Sequence, residues 1–408
     1  MAETDPNIVQ ALATMAAGDP TAASLAGTAL TWVTGGGGAG RITQERVQRF
    51  LWYDLPIKLR PTPEGRAAIT NALATVLDLL ELSRYAEICR SETTQKVHAA
   101  YSENPQVGLY AFREANLASG IYPPDLPEFK WGAAMGIEEA RALSWVQDYL
   151  ELAIASGELV PGAPDWKRKQ RKLVRTYLNT PNFQLYGQTP LDVMNTERIQ
   201  NWIKVEPSET RMKLLSDLAN RLLYPAELPE GTTDPYPPLT EMLKALEAGE
   251  TVAEDKGRLL EIAARMGLTR KLKGRLVLTK SGTAFLQDPV SNWRTFPRTL
   301  VAGNPYHRLA AEVMFAVLVD KDSTLAEVIS TIRQAATEAN YREAGTGLPP
   351  SEASLMKALD PTVLPIGEMG LFEPDDFNVK MALTPVGKSV ALEALRHRAT
   401  GPGATPWE

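Results

Sequence analysis

The stretch MGLTRKLKGRLVLTKSG, residues 266–282, decides the fold assignment because it recurs in altered form near the C-terminus. The second copy, MGLFEPDDFNVKMALTPVG, spans residues 369–387. Each copy begins with Met-Gly-Leu, passes through a polar tip and a basic residue into a short apolar run, and ends with Leu-Thr-x-x-Gly. A helical apolar segment precedes each copy. The repeat therefore predicts two copies of one local unit.

The positions of glycine and threonine indicate what that unit is. Gly267 and Gly370 can end a helix in the left-handed region, where glycine carries no steric penalty. Thr279 and Thr384 can cap the helix that follows. Lys273-Gly274 suits the tip of a tight hairpin, and the second tip, EPDDFN, is two residues longer. The predicted order is helix, strand, turn, strand and capped helix.

That order of elements is the C-terminal part of a winged helix. Residues 259–293 resemble the winged-helix-like modules found in many uncharacterised actinobacterial proteins, and MALTPVGKSVALEALRHRATG, which begins at Met381, resembles a second such module. The resemblance covers well under half of the chain. It implies tandem winged-helix-like units, and it carries over no catalytic residue and no activity.

The remainder of the chain predicts a mainly α protein: a multi-helix N-terminal domain followed by two winged-helix-like α+β modules with short β-hairpins. Helical segments broken at Pro, Gly and Asn follow one another from residue 61, with few strand signals among them. The stretch PAELPEGTTDPYPP is typical of a linker. The predicted organisation is an entry segment with a Gly-rich loop at 1–60, a helical domain at 61–224, a linker at 225–238, modules at 239–300 and 301–400, and a tail at 401–408.

The Gly-rich loop GGGGAG, residues 35–40, raises the question of a phosphate-binding loop. A P-loop requires Lys and then Ser or Thr after its last glycine, and here Arg41 and Ile42 follow instead. We therefore interpret the loop as a flexible connection. Thr43 is placed to cap the next helix, whose apolar residues recur at helical spacing and are expected to face a core.

Composition limits the classes of function. The 408 residues are 44% hydrophobic and 23% charged, typical of a globular protein of more than one domain. The net charge of -6 argues against a protein that coats nucleic acid indiscriminately. One cysteine and three scattered histidines give no metal-ligand spacing, so neither a metal nor another cofactor is predicted. With no apolar leader and no apolar run long enough to cross a membrane, we expect a cytoplasmic protein without a membrane partner.

The first hairpin is one candidate nucleic-acid contact. Cations in a wing can lie along phosphates, although the preceding helix, GRLLEIAARMG, is too apolar for several base contacts. The second tip contains Glu373, Asp375 and Asp376, which would repel phosphate. The candidate residues of the first hairpin are Arg270, Lys271, Lys273 and Arg275.

The second candidate is the basic helix DWKRKQRKLVRTYL, residues 165–178, which has cations on one face and apolar residues on the other. Three interpretations stay open: a contact with nucleic-acid phosphates, a membrane-surface helix, and a solvated helix paired with acidic residues. We regard this helix as the better cationic feature. Its candidate residues are Lys167, Arg168, Arg171, Lys172 and Arg175.

Three functions follow from these features. The first is a nucleic-acid-associated or regulatory protein that contacts double-stranded DNA or a DNA-bound partner. The second is a DNA-processing enzyme such as an alkylpurine-type glycosylase, although no motif identifies a catalytic residue. Its mark would be a pocket that holds a carboxylate of raised pKa beside cations. The third is an interaction module that binds a protein partner or forms a homo-oligomer, without nucleic acid.

Overall fold

The computed structural model describes residues 5–250, 256–301 and 303–402 of the chain. This described part is mainly helical, with nineteen α-helices and two short β-strands, which confirms the mainly α prediction. The predicted tail lies outside it from residue 403 onward. The chain divides into two compact units: unit 1 comprises residues 1–130 and 137–191, and unit 2 comprises residues 131–136 and 192–408. The division lies near residue 191, whereas the sequence placed a boundary at 225–238.

The described part of unit 1 contains nine α-helices, and several of them begin where the sequence places a strong cap. Asp5, Asp19, Thr62 and Asn104 each accept a hydrogen bond from a backbone N–H of the helix that follows, and a proline comes directly after each of them. The helices are α1 (Pro6–Gly18), α2 (Pro20–Thr34), α3 (Gln44–Arg49), α4 (Pro63–Leu79), α5 (Ser83–Arg90), α6 (Glu92–Glu103), α7 (Pro105–Ser119), α8 (Ile137–Ala155) and α9 (Trp166–Leu178).

Helix α3 continues into a π-helix over Phe50–Leu59. Its wide turn is visible at the end, where the N–H of Arg60 donates to the carbonyl of Leu55 at 3.1 Å, five residues back. Trp52 Nε1 donates to Thr94 Oγ1 at 2.8 Å and fixes the segment against α6. Pro56 lies inside the segment and has no N–H to donate. π-helical turns are rare and frequently occur at functional sites, so this segment indicates a candidate functional site in unit 1.

The Gly-rich loop is held in place rather than flexible. The backbone N–H of Ala39 donates to Asp5 Oδ2 at 2.7 Å. That hydrogen bond is the main cause of the lowered pKa of Asp5. Gly35 and Gly36 adopt positive φ angles of 61° and 76°, which end α2. In a phosphate-binding loop such backbone N–H groups bind a phosphate, whereas here one of them binds the carboxylate of Asp5.

Unit 2 contains most of α10 and the remaining helices around one large core. At its centre the fully buried Arg211 binds Glu312 through Nε and Oε2 at 2.7 Å. Both terminal nitrogens of Arg211 donate to backbone carbonyls, those of Ile203 and Trp202. Each nitrogen of the buried guanidinium group therefore has a hydrogen-bond partner. The helices are α10 (Pro190–Lys204), α11 (Glu209–Leu222), α12 (Pro237–Glu247), α13 (Gly257–Arg265), α14 (Lys280–Gln287), α15 (Pro289–Asn292), α16 (Pro305–Asp320), α17 (Leu325–Glu338), α18 (Glu352–Glu368) and α19 (Pro385–Ala399).

The segment 225–238 is an integral part of unit 2. Ser389 Oγ donates to the carbonyl of Glu227 at 2.6 Å. Tyr236 is completely buried, and its hydroxyl donates to the carbonyl of Trp293 at 2.9 Å. The Pro- and Gly-rich composition therefore produces a fixed extended segment that the core of unit 2 holds, and not a free linker.

The first copy of the repeat folds as the glycines and threonines predict. Gly267 ends α13 with a φ angle of 71°, and Thr279 caps α14 by accepting a hydrogen bond from Gly282 N at 3.1 Å. The N–H of Thr279 donates to the carbonyl of Leu268 at 2.9 Å and closes the hairpin at its base. A Cβ atom on Gly282 would overlap that same carbonyl oxygen. The final glycine is therefore required by a close backbone contact.

The second copy repeats these contacts. Gly370 has a φ angle of 69°, and Thr384 accepts a hydrogen bond from Gly387 N at 3.0 Å. The N–H of Thr384 donates to the carbonyl of Leu371 at 3.0 Å, and a Cβ atom on Gly387 would overlap that oxygen. Two segments about a hundred residues apart in sequence thus share one local hydrogen-bonding scheme.

The second hairpin that the sequence predicted is only partly formed. The first copy has two paired antiparallel strands, β1 (Thr269–Leu272) and β2 (Arg275–Leu278). The second copy shows the isolated bridges Phe372↔Leu383 and Ser323↔Met381 instead. In its longer tip the N–H groups of Val379 and Lys380 donate to the carbonyl of Asp376 at 2.8 and 2.7 Å. These local bonds use donors that a continued strand would need.

Candidate functional site

The first hairpin is short, fully paired and cationic. Leu272 pairs with Arg275, and the two residues between them, Lys273 and Gly274, have φ angles of 49° and 81°. Positive φ at both positions is the type I′ turn that matches the twist of a two-stranded hairpin. The predicted tip is thus confirmed. The strands hold their cations at fixed positions relative to one another.

All four predicted cations of this hairpin are exposed, as is Lys280 just beyond it. None of them forms an ion pair with a residue that the structure describes. An exposed cluster of like charges without counter-charges repels itself and attracts polyanions. The four residues brought together are Arg270, Lys271, Lys273 and Arg275.

The helix that precedes the hairpin buries its apolar side in unit 2. Leu259, Ile262 and Ala263 of α13 are buried. Helix α13 packs against α18, and Arg258 Nη1 lies 3.3 Å from Glu368 Oε1. Arg258 is thus already paired, and Arg265, also on the exposed side of the helix, forms no ion pair within the described part of unit 2. Helix α13 therefore offers too few polar side chains to read base edges.

The second tip has the opposite charge. Lys380 Nζ lies 3.2 Å from Asp322 Oδ2 and 3.9 Å from Asp375 Oδ2. The hydrogen bond to Asp322 is the main reason why the pKa of Lys380 is raised. Glu373 and Asp376 add further negative charge to this tip. The basic residue that the two copies share is neutralised in the second one.

The basic helix α9 has the predicted two faces. Gln170, Leu173 and Val174 are buried, and all of its cations are exposed. Asp165 precedes the helix, but its carboxylate makes no capping hydrogen bond and instead pairs with two of the cations. Those cations are Arg168 and Lys169, at 3.4 and 3.6 Å.

Further contacts reduce the charge that α9 can offer. Arg175 Nη2 donates to Glu128 Oε2 at 3.0 Å, and Lys167 Nζ lies 5.7 Å from the ring centroid of Trp166. Arg171 and Lys172 have no ion pair with any described residue. The sequence favoured α9 over the hairpin as the cationic surface, whereas the structure leaves more unpaired charge on the hairpin.

Sequence reasoning missed a cavity of about 510 Å³ in unit 1. Its walls come from α3, the π-helix, α7 and the loop after α7. Gln170 of α9 fixes that loop, because its Nε2 donates to the carbonyls of Gly120 and Tyr122 at 2.7 and 3.0 Å. The lining includes Glu45, Arg49, Tyr53, Phe112, Arg113 and Asn116.

Glu45 is the titratable group of this cavity with an altered pKa. Burial raises its pKa, Arg49 and Arg46 oppose that effect, and Asp54 and Asp148 add to it. Two contacts place Glu45 in the first turn of α3: Thr43 Oγ1 accepts from Arg46 N at 3.3 Å, and Glu151 Oε2 accepts from Gln44 N at 2.7 Å. Only the Thr43 cap was visible in the sequence.

No three His, Cys, Asp or Glu side chains of the described part converge as metal ligands would. None of the described helices has the length and hydrophobicity needed to cross a membrane.

Comparison of the chain with protein-family models, with curated proteins and with solved structures finds no match.

Proposed function

We propose that unit 2 contains two winged-helix-like modules and that the first of them associates with double-stranded DNA through its hairpin. The observation that carries this proposal is the set of four exposed cations on a paired two-stranded hairpin, without an ion-pair partner in the described part of the chain. Phosphate contacts need fixed cations on an accessible surface, and they need no particular base sequence.

The order of elements supports the winged-helix-like assignment. The first module has α12, α13, β1, β2 and α14 in sequence. In the second, Ser323 lies between α16 and α17 and pairs with Met381, which is where a third strand joins the sheet of a winged helix. The proposed modules are residues 239–300 and 301–400.

The proposal is restricted to phosphate contacts because α13 is unsuited to base readout. Its buried side belongs to the core of unit 2, and its Arg258 is paired with Glu368. We therefore expect weak sequence preference and strong salt dependence.

The test is binding of a fluorescent DNA duplex by the full chain and by the variant Arg270→Gln, Lys271→Gln, Lys273→Gln, Arg275→Gln, at about 50 mM salt. The variant removes four phosphate contacts and should lose affinity by about 100-fold. The residues are exposed, so the melting temperature should stay close to that of the wild type.

A matched control removes four cations of unit 2 that lie outside the hairpin. This control changes the net charge by the same amount as the hairpin variant. Because its hairpin is intact, it should bind the duplex within about threefold of the wild type. Equal loss of affinity in both variants would show that net charge, and not the hairpin, determines binding. The control substitutions are Lys213→Gln, Lys321→Gln, Arg342→Gln and Lys357→Gln.

One observation favours the second candidate, a DNA-processing enzyme. Glu45 is a carboxyl group of raised pKa beside Arg49 in a cavity, which is the setting that general acids require. This candidate predicts release of an alkylated base from duplex DNA by the wild type and loss of that release in Glu45→Gln. Because Glu45 belongs to unit 1, hairpin variants would leave a cleavage step intact once substrate is saturating.

A different observation favours the third candidate, a protein-interaction module. Phe183 and Tyr186 are 96% and 99% exposed on a loop of unit 1. Hydrogen bonds from Asn182 N to the carbonyl of Gln188 and from Gly187 N to that of Asn182, both 3.0 Å, close the loop. Exposed aromatic residues on an ordered loop are frequent anchors of protein contacts. Light scattering of the wild type and of Phe183→Ser, Tyr186→Ser should then show an oligomer that the variant loses.

A further inference from the structure

The cavity of unit 1 is built as a ligand site in its size and its walls. Its volume of about 510 Å³ lies within the usual range for pockets that hold small organic molecules. The rings of Tyr53 and Phe112 have centroids 5.4 Å apart at an interplanar angle of 35°, and Tyr122 is a third aromatic residue in the lining. Aromatic rings offer flat apolar surface of the kind that stacks on a planar ligand.

Three polar side chains in this lining have no partner among the described residues. Glu45, Arg113 and Asn116 make no side-chain hydrogen bond or ion pair with any residue that the structure describes, although all three contribute to the cavity wall. Glu45 is half-buried, and polar groups that lose water on burial normally acquire a partner. Glu45 and Asn116, both partly buried, are thus polar groups that a ligand in this cavity can satisfy, and Arg113, which is exposed, can pair with a charged group of that ligand.

The charge of the lining favours an anion. Arg49 and Arg113 contribute two guanidinium groups, whereas Glu45 is the single carboxyl group of the lining and its burial favours the neutral form. Asp54 lies outside the lining and takes up only part of the charge of Arg49, at 3.6 Å, because it also binds Lys58 at 2.7 Å. Guanidinium groups bind carboxylates and phosphates with two parallel hydrogen bonds.

We propose that this cavity binds a small planar aromatic molecule that carries an anionic group. Arg113 holds the anion, the rings of Tyr53 and Phe112 contact the aromatic face, and Asn116 and Glu45 bind polar atoms of the ring. The π-helix has a defined part in this arrangement, because it presents Tyr53 to the cavity. This proposal does not depend on DNA binding by unit 2.

Two classes of molecule have this chemistry, nucleoside monophosphates and aromatic carboxylates. The test is isothermal titration calorimetry of the full chain with AMP, CMP and indole-3-acetate. Adenosine, which lacks the anion, and inorganic phosphate, which lacks the ring, are the controls. We expect saturable binding of at least one ring-and-anion probe, at least about tenfold tighter than that of either control, since a charged hydrogen bond is lost with the anion. Preference for AMP or CMP over indole-3-acetate, or the reverse, identifies the class.

Variants locate the binding in the cavity. Arg113→Gln should weaken binding of the preferred probe by about tenfold or more, and Lys96→Gln, which removes an exposed cation of α6, should leave it unchanged. Arg113 is exposed, so its substitution should not unfold unit 1. Absence of binding by every ring-and-anion probe, or equal affinity of wild type and Arg113→Gln, would overturn the proposal. Binding of phosphate alone with the same affinity would also overturn it.

Glu45 provides a second readout that a purely structural carboxyl would not give. Ionisation of Glu45 places a negative charge beside a bound anion, among the charges of Arg46, Arg49, Arg113, Asp54 and Asp148. Binding of the preferred probe should therefore weaken as the pH rises through the raised pKa of Glu45. In Glu45→Gln this dependence should disappear, and an unchanged pH profile in that variant would contradict the assigned contact.

Discussion

The two copies of the repeat share a backbone and differ in charge. Thr279 and Thr384 make equivalent hydrogen bonds, and Gly282 and Gly387 meet equivalent carbonyl groups. Yet the first tip has exposed cations, whereas Lys380 of the second is paired with Asp322. The Leu-Thr-x-x-Gly pattern therefore specifies local structure only. Function has to be inferred from the side chains of each tip, and only the first is suited to a polyanion.

Charge reversal in the first tip should cause the largest change in duplex affinity. Lys271→Glu, Lys273→Glu gives the first hairpin the charge of the second and places two carboxylates against DNA phosphates. Duplex affinity at about 50 mM salt should fall by more than about 100-fold, because two attractions become two repulsions. Fluorescence anisotropy measures this loss. Affinity within about tenfold of the wild type would mean that the hairpin lies away from the DNA.

Substitution of the shared glycine should affect both copies equally. In Gly282→Ala and Gly387→Ala the new methyl group overlaps the carbonyl of Leu268 or Leu371, so the hairpin base or the helix must shift. Each change should lower the free energy of unfolding by about 1–3 kcal/mol. Urea unfolding of the two variants provides the comparison. A large effect in one copy and none in the other would show that the shared scheme is not equally important for stability.

Neutralisation of the second tip should have little effect on DNA binding. Asp375→Asn, Asp376→Asn removes two negative charges from a segment that we assign no contact with DNA. Duplex affinity should change by less than about threefold, through net charge alone. A gain well beyond that range, seen in the same anisotropy assay, would place the second tip near bound DNA and weaken the contrast between the copies.

Unit 2 has a carboxylate of low pKa, that of Glu338, at the end of α17. Burial of Glu338 is outweighed by hydrogen bonds from Thr210, Gln334 and Ser208, so its pKa falls to about 2 from a usual 4.5. A depressed pKa stabilises the fold above the usual value and loses that contribution as the pH falls from 4.5 towards 2. Glu338→Gln should lower the melting temperature slightly at neutral pH and flatten its decline in that acidic window. If the melting temperature of Glu338→Gln declines with acid as steeply as that of the wild type, Glu338 is not a cause of the decline.

Local parts of this fold could be predicted from the sequence. The amphipathic pattern of residues 165–178 predicted helix α9, and the Thr-x-x-Gly caps and the Lys273-Gly274 turn depend on a few neighbouring residues. Features that depend on distant partners could not be predicted. The segment 225–238 has the composition of a linker, and only its contact with Trp293 shows why Tyr236 is buried.

The cavity was unpredictable for the same physical reason. Glu45 and Arg113 are separated by nearly seventy residues and lie on different helices, so no spacing in the sequence relates them. Pro56 within an otherwise helical run was the available signal of irregular structure beside the site. The charges of α9 could be read from the sequence, but the pairing of Arg175 with Glu128 could not.

DNA binding by the first hairpin is tested by the salt dependence of duplex affinity for the wild type and the four-substitution hairpin variant. If the hairpin contacts about four phosphates, wild-type affinity should fall about 100-fold between about 50 and 200 mM salt, and the slope against the logarithm of salt concentration should be about 3 to 4 units shallower in the variant. Equal slopes for the two proteins would contradict the claim that the first hairpin binds DNA.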